Sequence, residues 1–431
     1  MTISKEHIIE YFKSGIKEKK DFRMGIEHEK FLFDSKNNKR IDYSKVKEMF
    51  SALNEFGWNP VKEGENIIGL NKEGKNITLE PGNQIELSGE KLNNIHEACA
   101  ESYDYLFELK QVTKKLDIKI VSTGFDPISK LDEIPNNPKQ RYKLMTNDMP
   151  LGGELSLDMM YRTCGTQLNI DYSSEEDFFK KFKVVNSIVP ISIALFANSS
   201  IVEKKKSDYL SYRSKVWQNT SRGGLPKLFF ENLNFEKYAD FIINFPILFI
   251  LDKQNYISGN KYTFKDFMNG KIDEIKNRLP TENDLSLHLS TIFTENRLKK
   301  YIELRSMDTC GWDCLCAGPA FFIGMLYGNL DEVYSLISSW DKDKIINAYL
   351  DAPQKGFNTQ LMGKDLFYWA STLLEISRKG LDNRDILNKS GKNETLFLNH
   401  LQKVIDNRTT NADHMINKFS KNEDLKDLYD K

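Results

Sequence analysis

Four short segments of the chain alternate polar and apolar side chains with a period of two, which is the pattern of a β-strand with one buried face. Their polar positions carry, in chain order, Gly25, Glu27 and Glu29; Gln84, Glu86 and Ser88, after Glu80 and a Pro-Gly-Asn turn; Gln167, Asn169 and Asp171; and Arg297, Lys299, Tyr301, Glu303 and Arg305. Their apolar positions carry Met24, Ile26, Leu32, Ile85, Leu87, Leu168, Ile170, Leu298, Ile302 and Leu304. We therefore predict an antiparallel sheet with one apolar face and one polar face.

The polar face is unusual because it is rich in carboxylates rather than in the mixed neutral side chains of a solvated sheet. If the strands pair, five carboxylates converge: Glu27, Glu29, Glu80, Glu86 and Glu303. Like charges so close repel one another, so a counter-charge is required. Hard divalent cations bind carboxylate oxygens, and Mg²⁺ also bridges nucleotide phosphates. Basic side chains on the same face suit phosphate oxygens.

A simpler explanation is also open, because charged edge strands often do no more than prevent aggregation. A single Glu-x-Glu pair fits that explanation well. Four strands with polar faces of this chemistry, one of them ending in Glu-x-Arg, favour a functional site. Periodicity alone thus predicts metal-dependent phosphoryl chemistry on an antiparallel sheet.

Helical and extended patterns are interleaved along the 431 residues, without a linker or an internal repeat. We therefore predict one α+β catalytic domain over residues 1–431, with a polar helical C-terminal extension at about 385–431. The charge is nearly balanced, with 61 basic and 62 acidic residues, so neither nucleic acid nor an anionic membrane surface is expected as a partner.

The first residues predict an amphipathic helix rather than a signal peptide, because Glu6 and Glu10 interrupt the apolar positions. The most apolar windows are too short to span a bilayer. We therefore expect a soluble, cytoplasmic protein. The five cysteines leave two interpretations open: reduced buried thiols, or a redox-sensitive pair within Cys310, Cys314 and Cys316.

Six ordered runs make the chemistry more specific: MGIEHEKF, LEPGNQIELSG, LSLDMMYRTCGTQLNID, ALFANS, SYRSKVWQNT and RLKKYIELR. In this order they resemble the glutamate–cysteine ligase family of plant and proteobacterial type, from about residue 23 to about residue 327. The resemblance implies a glutamine synthetase-like fold, in which a curled antiparallel sheet of about six strands carries helices on its outer face.

The resemblance also implies a reaction. ATP phosphorylates the γ-carboxylate of L-glutamate with the help of Mg²⁺, and the amine of L-cysteine attacks the γ-glutamyl phosphate. The product, γ-glutamylcysteine, is the first intermediate of glutathione biosynthesis. The resemblance leaves open a monomer or a homodimer. It also leaves open a related ligase for another amine, or a catalytically silent homologue that only binds nucleotide or glutamate.

Carried over position by position, the resemblance implies roles for individual side chains. The Mg²⁺ ligands would be Glu27, Glu29, Glu80, Glu86 and Glu303. Arg305 and Lys299 would contact the transferred phosphate, and Gln167 would be a ligand or a nucleotide contact. Arg162 and Arg213 would bind the α-carboxylate of glutamate, since a guanidinium can hold a carboxylate with two hydrogen bonds. Trp217 would form a wall of the substrate pocket or belong to the core.

Three further positions are interpreted differently. His28 lies between two of the glutamates but on the opposite face of the strand, so we expect it to be structural. Cys164 is expected to pack rather than react, because no step requires an enzyme thiol. Plant members carry a redox-responsive cysteine pair that corresponds to residues 256–280, and this chain has no cysteine there.

Overall fold

A central antiparallel sheet brings the alternating segments together. The computed structural model describes residues 3–276 and 278–422. Its strands are β1 (Met24–Asp34), β2 (Asn59–Glu63), β3 (Asn66–Lys72), β4 (Lys75–Leu79), β5 (Ile85–Ser88), β6 (Ile118–Val121), β7 (Gly165–Ile170), β8 (Ile201–Val202), β9 (Lys205–Lys206), β10 (Gly223–Gly224), β11 (Phe249–Asp252), β12 (Asn255–Ser258), β13 (Phe293–Thr294), β14 (Asn296–Leu298), β15 (Ile302–Asp308), β16 (Gln360–Leu361) and β17 (Lys364–Asp365).

Helices surround this sheet and fill the remaining chain. They are α1 (Lys5–Lys13), α2 (Tyr43–Leu53), α3 (Ile95–Lys115), α4 (Gln140–Asp148), α5 (Ser156–Arg162), α6 (Glu175–Ser187), α7 (Val189–Leu195), α8 (Tyr212–Gln218), α9 (Phe235–Asn244), α10 (Phe264–Met268), α11 (Glu282–Ser290), α12 (Trp312–Leu315), α13 (Ala317–Ile323), α14 (Leu330–Ile337), α15 (Lys342–Lys355), α16 (Leu366–Arg384), α17 (Asn399–Asn407) and α18 (Asn411–Asn422). Within the described ranges, no helix is both long and apolar enough for a bilayer crossing.

The main sheet has nine strands in the order β14-β15-β7-β1-β5-β4-β3-β2, and β6 pairs with the second half of β1. Every pairing in it is antiparallel. The predicted fold class is therefore confirmed. Six consecutive strands, from β14 to β4, carry or border the predicted polar face, whereas β2, β3 and β6 enlarge the sheet beyond the six strands expected.

The apolar face of the sheet packs against helices on its outer side. Ile26, Leu168 and Leu304 belong to a large buried cluster with residues of α6, α7 and α13. Ile85 and Leu87 belong to a second cluster that α2 and α3 cover. Burying each such side chain stabilises the fold by roughly 1.5–3 kcal/mol, so this core holds the strands in register.

His28 lies on the same apolar face, as the alternation predicts. Its side chain is fully buried, and its ring centroid lies 5.4 Å from that of Tyr105. Burial, with a smaller effect from Lys30, holds the pKa of His28 well below its ordinary value. The ring is therefore neutral and belongs to the core.

The cysteine cluster lies in the loop after β15 and in the helix α12 region that follows it. Cys310 and Cys314 form a disulfide, with Cα atoms 6.1 Å apart, and Cys316 is a buried free thiol. The buried ammonium of Lys30 donates to the Cys310 carbonyl at 2.8 Å, which ties this loop to β1. The pair within the cluster is thus Cys310 with Cys314.

The C-terminal segment packs on the main core through α17 and the turn before it. Leu398, Leu401 and Val404 are buried there. The buried Glu394 carboxylate accepts hydrogen bonds from the Ile95 amide at 2.7 Å and from Arg384 Nε at 3.0 Å. Residues 423–431 lie outside the described residues, and the division at about residue 385 stays a prediction.

A buried ion pair fixes the turn that follows β4. Arg40 and Asp126 have no exposed side-chain surface, and Nη1 lies 3.1 Å from Oδ2. The same guanidinium donates to the Gly82 carbonyl and stacks on Phe31 at 4.8 Å. Asp126 also accepts from the Ile128 amide at 2.8 Å. This pair therefore connects the start of the chain to the turn beside Glu80.

We predict that Asp126→Ala lowers the free energy of unfolding by about 3–5 kcal/mol, because it leaves the buried Arg40 charge unpaired. Urea unfolding followed by circular dichroism would measure the loss. The matched control is Glu55→Ala, which breaks an exposed pair with Lys115 and should cost about 0.5 kcal/mol or less. A loss below about 1 kcal/mol for Asp126→Ala would contradict the prediction.

Candidate active site

Four of the predicted carboxylates lie on the polar face of the sheet, which we call the inner face: three are on the neighbouring strands β1 and β5, and the fourth directly follows β4. Glu27 on β1 stands opposite Gln167 on β7 and Ser88 on β5. Glu29 stands opposite Glu86, which in turn stands opposite Thr78 on β4. Side chains in directly opposed positions have Cβ atoms about 5 Å apart. Glu80 follows β4 immediately, so the strand register brings these residues together.

Neutral donors hold the carboxylates in place. Asn169 Nδ2 donates to Glu27 Oε1 at 2.7 Å, and the Gly165 amide donates to Glu29 Oε2. Thr78 Oγ1 donates to Glu86 Oε2 at 3.0 Å. The Tyr142 hydroxyl on α4 lies 3.2 Å from Glu80 Oε2. Neutral hydrogen bonds orient these groups without cancelling their charge.

Proximity and burial shift the acidity of two of these groups. Burial first, and the charge of Glu80 second, raise the pKa of Glu29 to about 7. Burial and the charges of Glu27, Glu80 and Glu29 raise the pKa of Glu86 well above its ordinary value. These four carboxylates therefore form a group whose negative charge the surrounding protein compensates only in part.

Glu303, unlike the other four carboxylates, is surrounded by cationic side chains. Its buried carboxylate lies 2.6 Å from Arg297, 2.8 Å from Lys299 and in contact with Arg305. Burial opposes ionisation, but the three cations hold the pKa of Glu303 well below its ordinary value. The protein thus neutralises Glu303 internally. A role for Glu303 as a metal ligand stays a prediction.

The donor set suits a hard divalent cation in its chemistry. It consists of carboxylate oxygens with surplus negative charge, which is what Mg²⁺ binds. As the side chains are placed in the described ranges, no group of three His, Cys, Asp or Glu residues is close enough to hold an ion. Binding would therefore require the carboxylates to turn toward one another.

Gln167 and Arg305 link the two charged groups. Arg305 Nη1 donates to Gln167 Oε1 at 2.5 Å, and Gln167 Nε2 donates to Glu86 Oε1 at 3.2 Å. Lys299 shares the inner face at the other side of Glu303, and its ammonium is mostly buried. A continuous polar network therefore runs from Lys299 through Arg305 and Gln167 to Glu86.

Arg213 and Trp217, both on α8, approach the inner face beside Arg305. Arg213 Nη2 donates to the Arg305 carbonyl at 2.9 Å. The Trp217 ring centroid lies 5.3 Å from the guanidinium of each arginine. The Nε atoms of both arginines and the indole Nε1 are buried without a hydrogen-bond partner. Three buried donors in one place suit an anion, and Trp217 belongs to this group while also packing on Phe293.

Arg162 is placed differently. Its guanidinium lies 2.9 Å from Asp158 and 3.2 Å from Glu203, and it stacks on Phe125 at 4.5 Å. These ion pairs and this ring contact are with residues other than the inner-face carboxylates. Of the two arginines expected to bind a substrate carboxylate, Arg213 therefore stands with the other site residues, and the role of Arg162 stays a prediction.

Two buried acids beside Arg213 escaped the sequence analysis. Glu295 precedes β14 and accepts a hydrogen bond from Tyr349 at 2.7 Å. Asp308 ends β15, after a β-bulge between Leu304 and Met307. The extra residue reverses the alternation, so Met307 faces the core and Asp308 faces inward. A strict period of two could not find Asp308.

Two cations near Glu80 were also missed. Lys139 donates to the Leu79 carbonyl at 2.6 Å, and burial lowers the pKa of Lys139 to about 8. Arg141 on α4 donates to the Tyr142 hydroxyl at 3.0 Å and interacts electrostatically with Glu80. Neither residue is part of an alternating segment, so the sequence offered no signal for them.

Comparison of the sequence with known proteins relates this chain to one family. A sequence model of glutamate-cysteine ligase family 2 matches residues 23–431. Similar proteins include the chloroplastic glutamate–cysteine ligase of Nicotiana tabacum, 40% identical over 96% of this chain and 79% of that protein. The chloroplastic glutamate–cysteine ligase of Arabidopsis thaliana is 37% identical over 97% of this chain and 80% of that protein.

A solved structure supports the fold. The glutamate–cysteine ligase of Francisella tularensis in complex with AMP superimposes with a TM-score of 0.54 at 14% identity, covering 94% of this chain and 86% of that chain. At this identity the likeness concerns the fold alone.

The expectation of a cytoplasmic location is wrong by these comparisons. The relatives from Nicotiana tabacum, Solanum lycopersicum, Oryza sativa and Arabidopsis thaliana are all named chloroplastic. The argument from composition used the charge balance and the first residues of this chain, and neither distinguishes one aqueous compartment from another.

The raised pKa of Glu29 predicts how stability depends on pH in the absence of divalent cations. Folded Glu29 keeps its proton up to about pH 7, whereas the unfolded side chain loses it near pH 4.5. The folded state therefore holds more protons between these values, and this contribution to stability is lost as the pH rises through the window.

We expect Glu29→Gln to flatten that loss, because the amide cannot ionise. Urea unfolding in EDTA, compared at about pH 5 and about pH 8, would show a larger decrease for the unsubstituted protein than for the variant. Glu55→Gln, at an exposed position, is the control and should follow the unsubstituted protein. Equal decreases in all three proteins would contradict the assignment.

Proposed function

The chain belongs to glutamate-cysteine ligase family 2 and ligates glutamate to cysteine in the first step of glutathione synthesis, and from that premise we propose that it does so with ATP and Mg²⁺ through a γ-glutamyl phosphate. The observation that carries the proposal is the group of partly compensated carboxylates Glu27, Glu29, Glu80 and Glu86 beside the Glu303–Arg305 network.

The chemistry explains why both elements are needed. A carboxylate is a poor electrophile, because its oxygen is a poor leaving group. Phosphorylation by ATP converts the γ-carboxylate of glutamate into a mixed anhydride, which the cysteine amine attacks with loss of phosphate. Transfer of a phosphoryl group is assisted chiefly by positioning and by neutralisation of charge.

In this proposal the four carboxylates hold Mg²⁺. A cation held by these residues would supply neutralisation of charge on the phosphate oxygens of the nucleotide. The raised pKa of Glu86 indicates that ionisation of this group is unfavourable in the free protein, so a bound cation would favour the carboxylate form. Gln167, hydrogen-bonded to Glu86, fixes the position of that carboxylate.

Arg305 and Lys299 would bind the phosphoryl oxygens. Both contact Glu303, which keeps the side chains in place. The buried Nε of Arg305 has no partner in the protein and is available to an incoming acceptor. Glu303 thus acts in the proposal as the internal anchor of the phosphate-binding cations, in addition to the ligand role predicted for it.

Arg213 would bind the α-carboxylate of glutamate, with Trp217 as one wall of the pocket. Arg213 is only 4% exposed, and its unpartnered Nε lies among the other unpaired donors. A guanidinium suits a carboxylate because two parallel hydrogen bonds can form. With phosphate bound beside Arg305 and glutamate beside Arg213, the γ-carboxylate would lie between the two arginines.

An isotope experiment tests the γ-glutamyl phosphate. Glutamate labelled with ¹⁸O in the γ-carboxylate is incubated with ATP, Mg²⁺ and cysteine, and the released phosphate is analysed by mass spectrometry. Phosphorylation of the carboxylate places one labelled oxygen in each phosphate released. Unlabelled phosphate, formed together with γ-glutamylcysteine, would refute the intermediate.

We predict that Glu27→Gln lowers kcat at least about 100-fold. The substitution removes a proposed Mg²⁺ ligand, and the cation's neutralisation of phosphate charge matters most in the transition state. A coupled assay of ADP release across a range of Mg²⁺ concentrations would measure the loss. Glu90→Gln, which alters a carboxylate outside the inner-face group, is the control and should retain activity. A value of kcat within about threefold of the unsubstituted protein would refute the role of Glu27.

For Arg213 we expect a change in binding. Arg213→Ala should raise the KM for glutamate at least about tenfold, with a smaller change in the KM for ATP, because a charged hydrogen bond to one substrate is lost. Lys215→Ala, two positions along the same helix, is the matched control and should leave both constants unchanged. An unchanged KM for glutamate in Arg213→Ala would remove Arg213 from the glutamate site.

A further inference from the structure

We infer that Asp308 is a positioning residue that holds helix α8, and with it Arg213 and Trp217, in the orientation needed to bind glutamate. The inference rests on the proposed role of Arg213. Asp308 itself lies behind the arginine and is buried, with 4% of its surface exposed, so it acts through the helix rather than on a substrate.

The carboxylate of Asp308 is a convergence point for three donors. Oδ2 accepts from the Asn198 amide at 2.8 Å and from Ser199 Oγ at 2.6 Å. Oδ1 accepts from Ser211 Oγ at 2.9 Å. All three donors are neutral and buried. Because Asp308 ends β15, these bonds fasten two loop segments to the strand that also carries Arg305.

Two of these partners control the start of α8. Ser211 is the N-cap residue, whose hydroxyl accepts from the Ser214 amide at 3.2 Å. Ser199 Oγ accepts from the Arg213 amide at 3.1 Å, and the Ser199 carbonyl accepts from the Tyr212 amide at 3.1 Å. Helix α8 has seven residues, a length at which helices depend on tertiary contacts and caps. Asp308 therefore orients the hydroxyls that start this helix.

Strand β15 consequently holds Arg213 at both ends. Its backbone amide is held through Ser199 and Asp308, and its guanidinium is held by the Arg305 carbonyl at 2.9 Å. Steric limits support the same arrangement. A Cβ at Gly165 would lie 2.8 Å from Arg213 Nη2, and a Cβ at Gly124 would collide with the Asp308 carboxylate.

The two residues also interact electrostatically. Burial raises the pKa of Asp308, whereas the charge of Arg213 favours the ionised form of this carboxyl. Glu29 and Glu295 face the same guanidinium from other elements. Since three acids share one arginine, loss of the charge at Asp308 alone leaves Arg213 with two partners. The hydrogen bonds to the serine hydroxyls are therefore what distinguishes Asp308.

The test is Asp308→Asn in the full chain, assayed with saturating cysteine. The amide replaces one acceptor oxygen by a donor that faces the existing donors, so α8 should lose its fixed start. We expect the KM for glutamate to rise about tenfold, with the KM for ATP changed less than about twofold. Ser199→Ala should raise the KM for glutamate by a smaller factor. This variant provides the test if Asp308→Asn fails to fold.

A double-mutant cycle separates positioning from general destabilisation. If Asp308 acts through Arg213, Asp308→Asn should add less than about twofold to the KM for glutamate in an Arg213→Ala background. The matched control is Asp284→Asn. This buried aspartate also accepts from an amide and a hydroxyl, both of Thr281, at 2.8 and 2.7 Å. It lies on α11 and should leave the KM for glutamate unchanged.

Three outcomes would overturn the inference: an unchanged KM for glutamate in both Asp308→Asn and Ser199→Ala, equal rises for glutamate and ATP, or effects that multiply fully in the double variant. The failure of the proposed function looks different. If Arg213→Ala leaves the KM for glutamate unchanged, the role of Arg213 is refuted. If that KM rises while the Asp308 and Ser199 variants behave normally, only the positioning role is refuted.

Discussion

Repulsion among half-buried carboxylates is the interaction on which this structure depends. The register of β1 with β5 and β7 forces Glu27, Glu29 and Glu86 onto one face, and burial intensifies their mutual repulsion. The sheet tolerates this repulsion because its other face is packed against a large apolar core. Cations from its own strands neutralise Glu303. Under the proposed function, Mg²⁺ would compensate the remaining group.

The sheet and much of the site were predictable because both follow from a single periodicity. Glu27, Glu86, Gln167 and Glu303 fall on the polar side of regular strands, so their convergence required only correct pairing. The extra strands were less predictable, since β2 and β3 carry no comparable polar pattern. The inward position of Asp308 depends on a bulge, which the alternating sequence does not reveal.

Residues contributed by helices were harder to place, because neighbours in a motif are not neighbours in space. Arg162 and Arg213 belong to similar-looking runs, yet one arginine pairs with Asp158 and Glu203 and the other lies beside Arg305. Tyr142 and Arg141 reach Glu80 from α4, which no sequence pattern connected to β4. Contacts of this kind depend on how helices fold over the inner face.

The bulge in β15 has a consequence for spacing. On a regular strand, side chains on one face repeat about every 6.7 Å, so a binding surface built from it can contact a ligand only at multiples of that distance. The additional residue between Leu304 and Met307 breaks this constraint. In the proposed function, one strand would thereby offer Arg305 to the phosphoryl group and Asp308 to the support of the glutamate site, at an interval that a regular strand cannot provide. Removing that residue would exchange the environments of Met307 and Asp308, placing a thioether in the polar cleft and a carboxylate in the core.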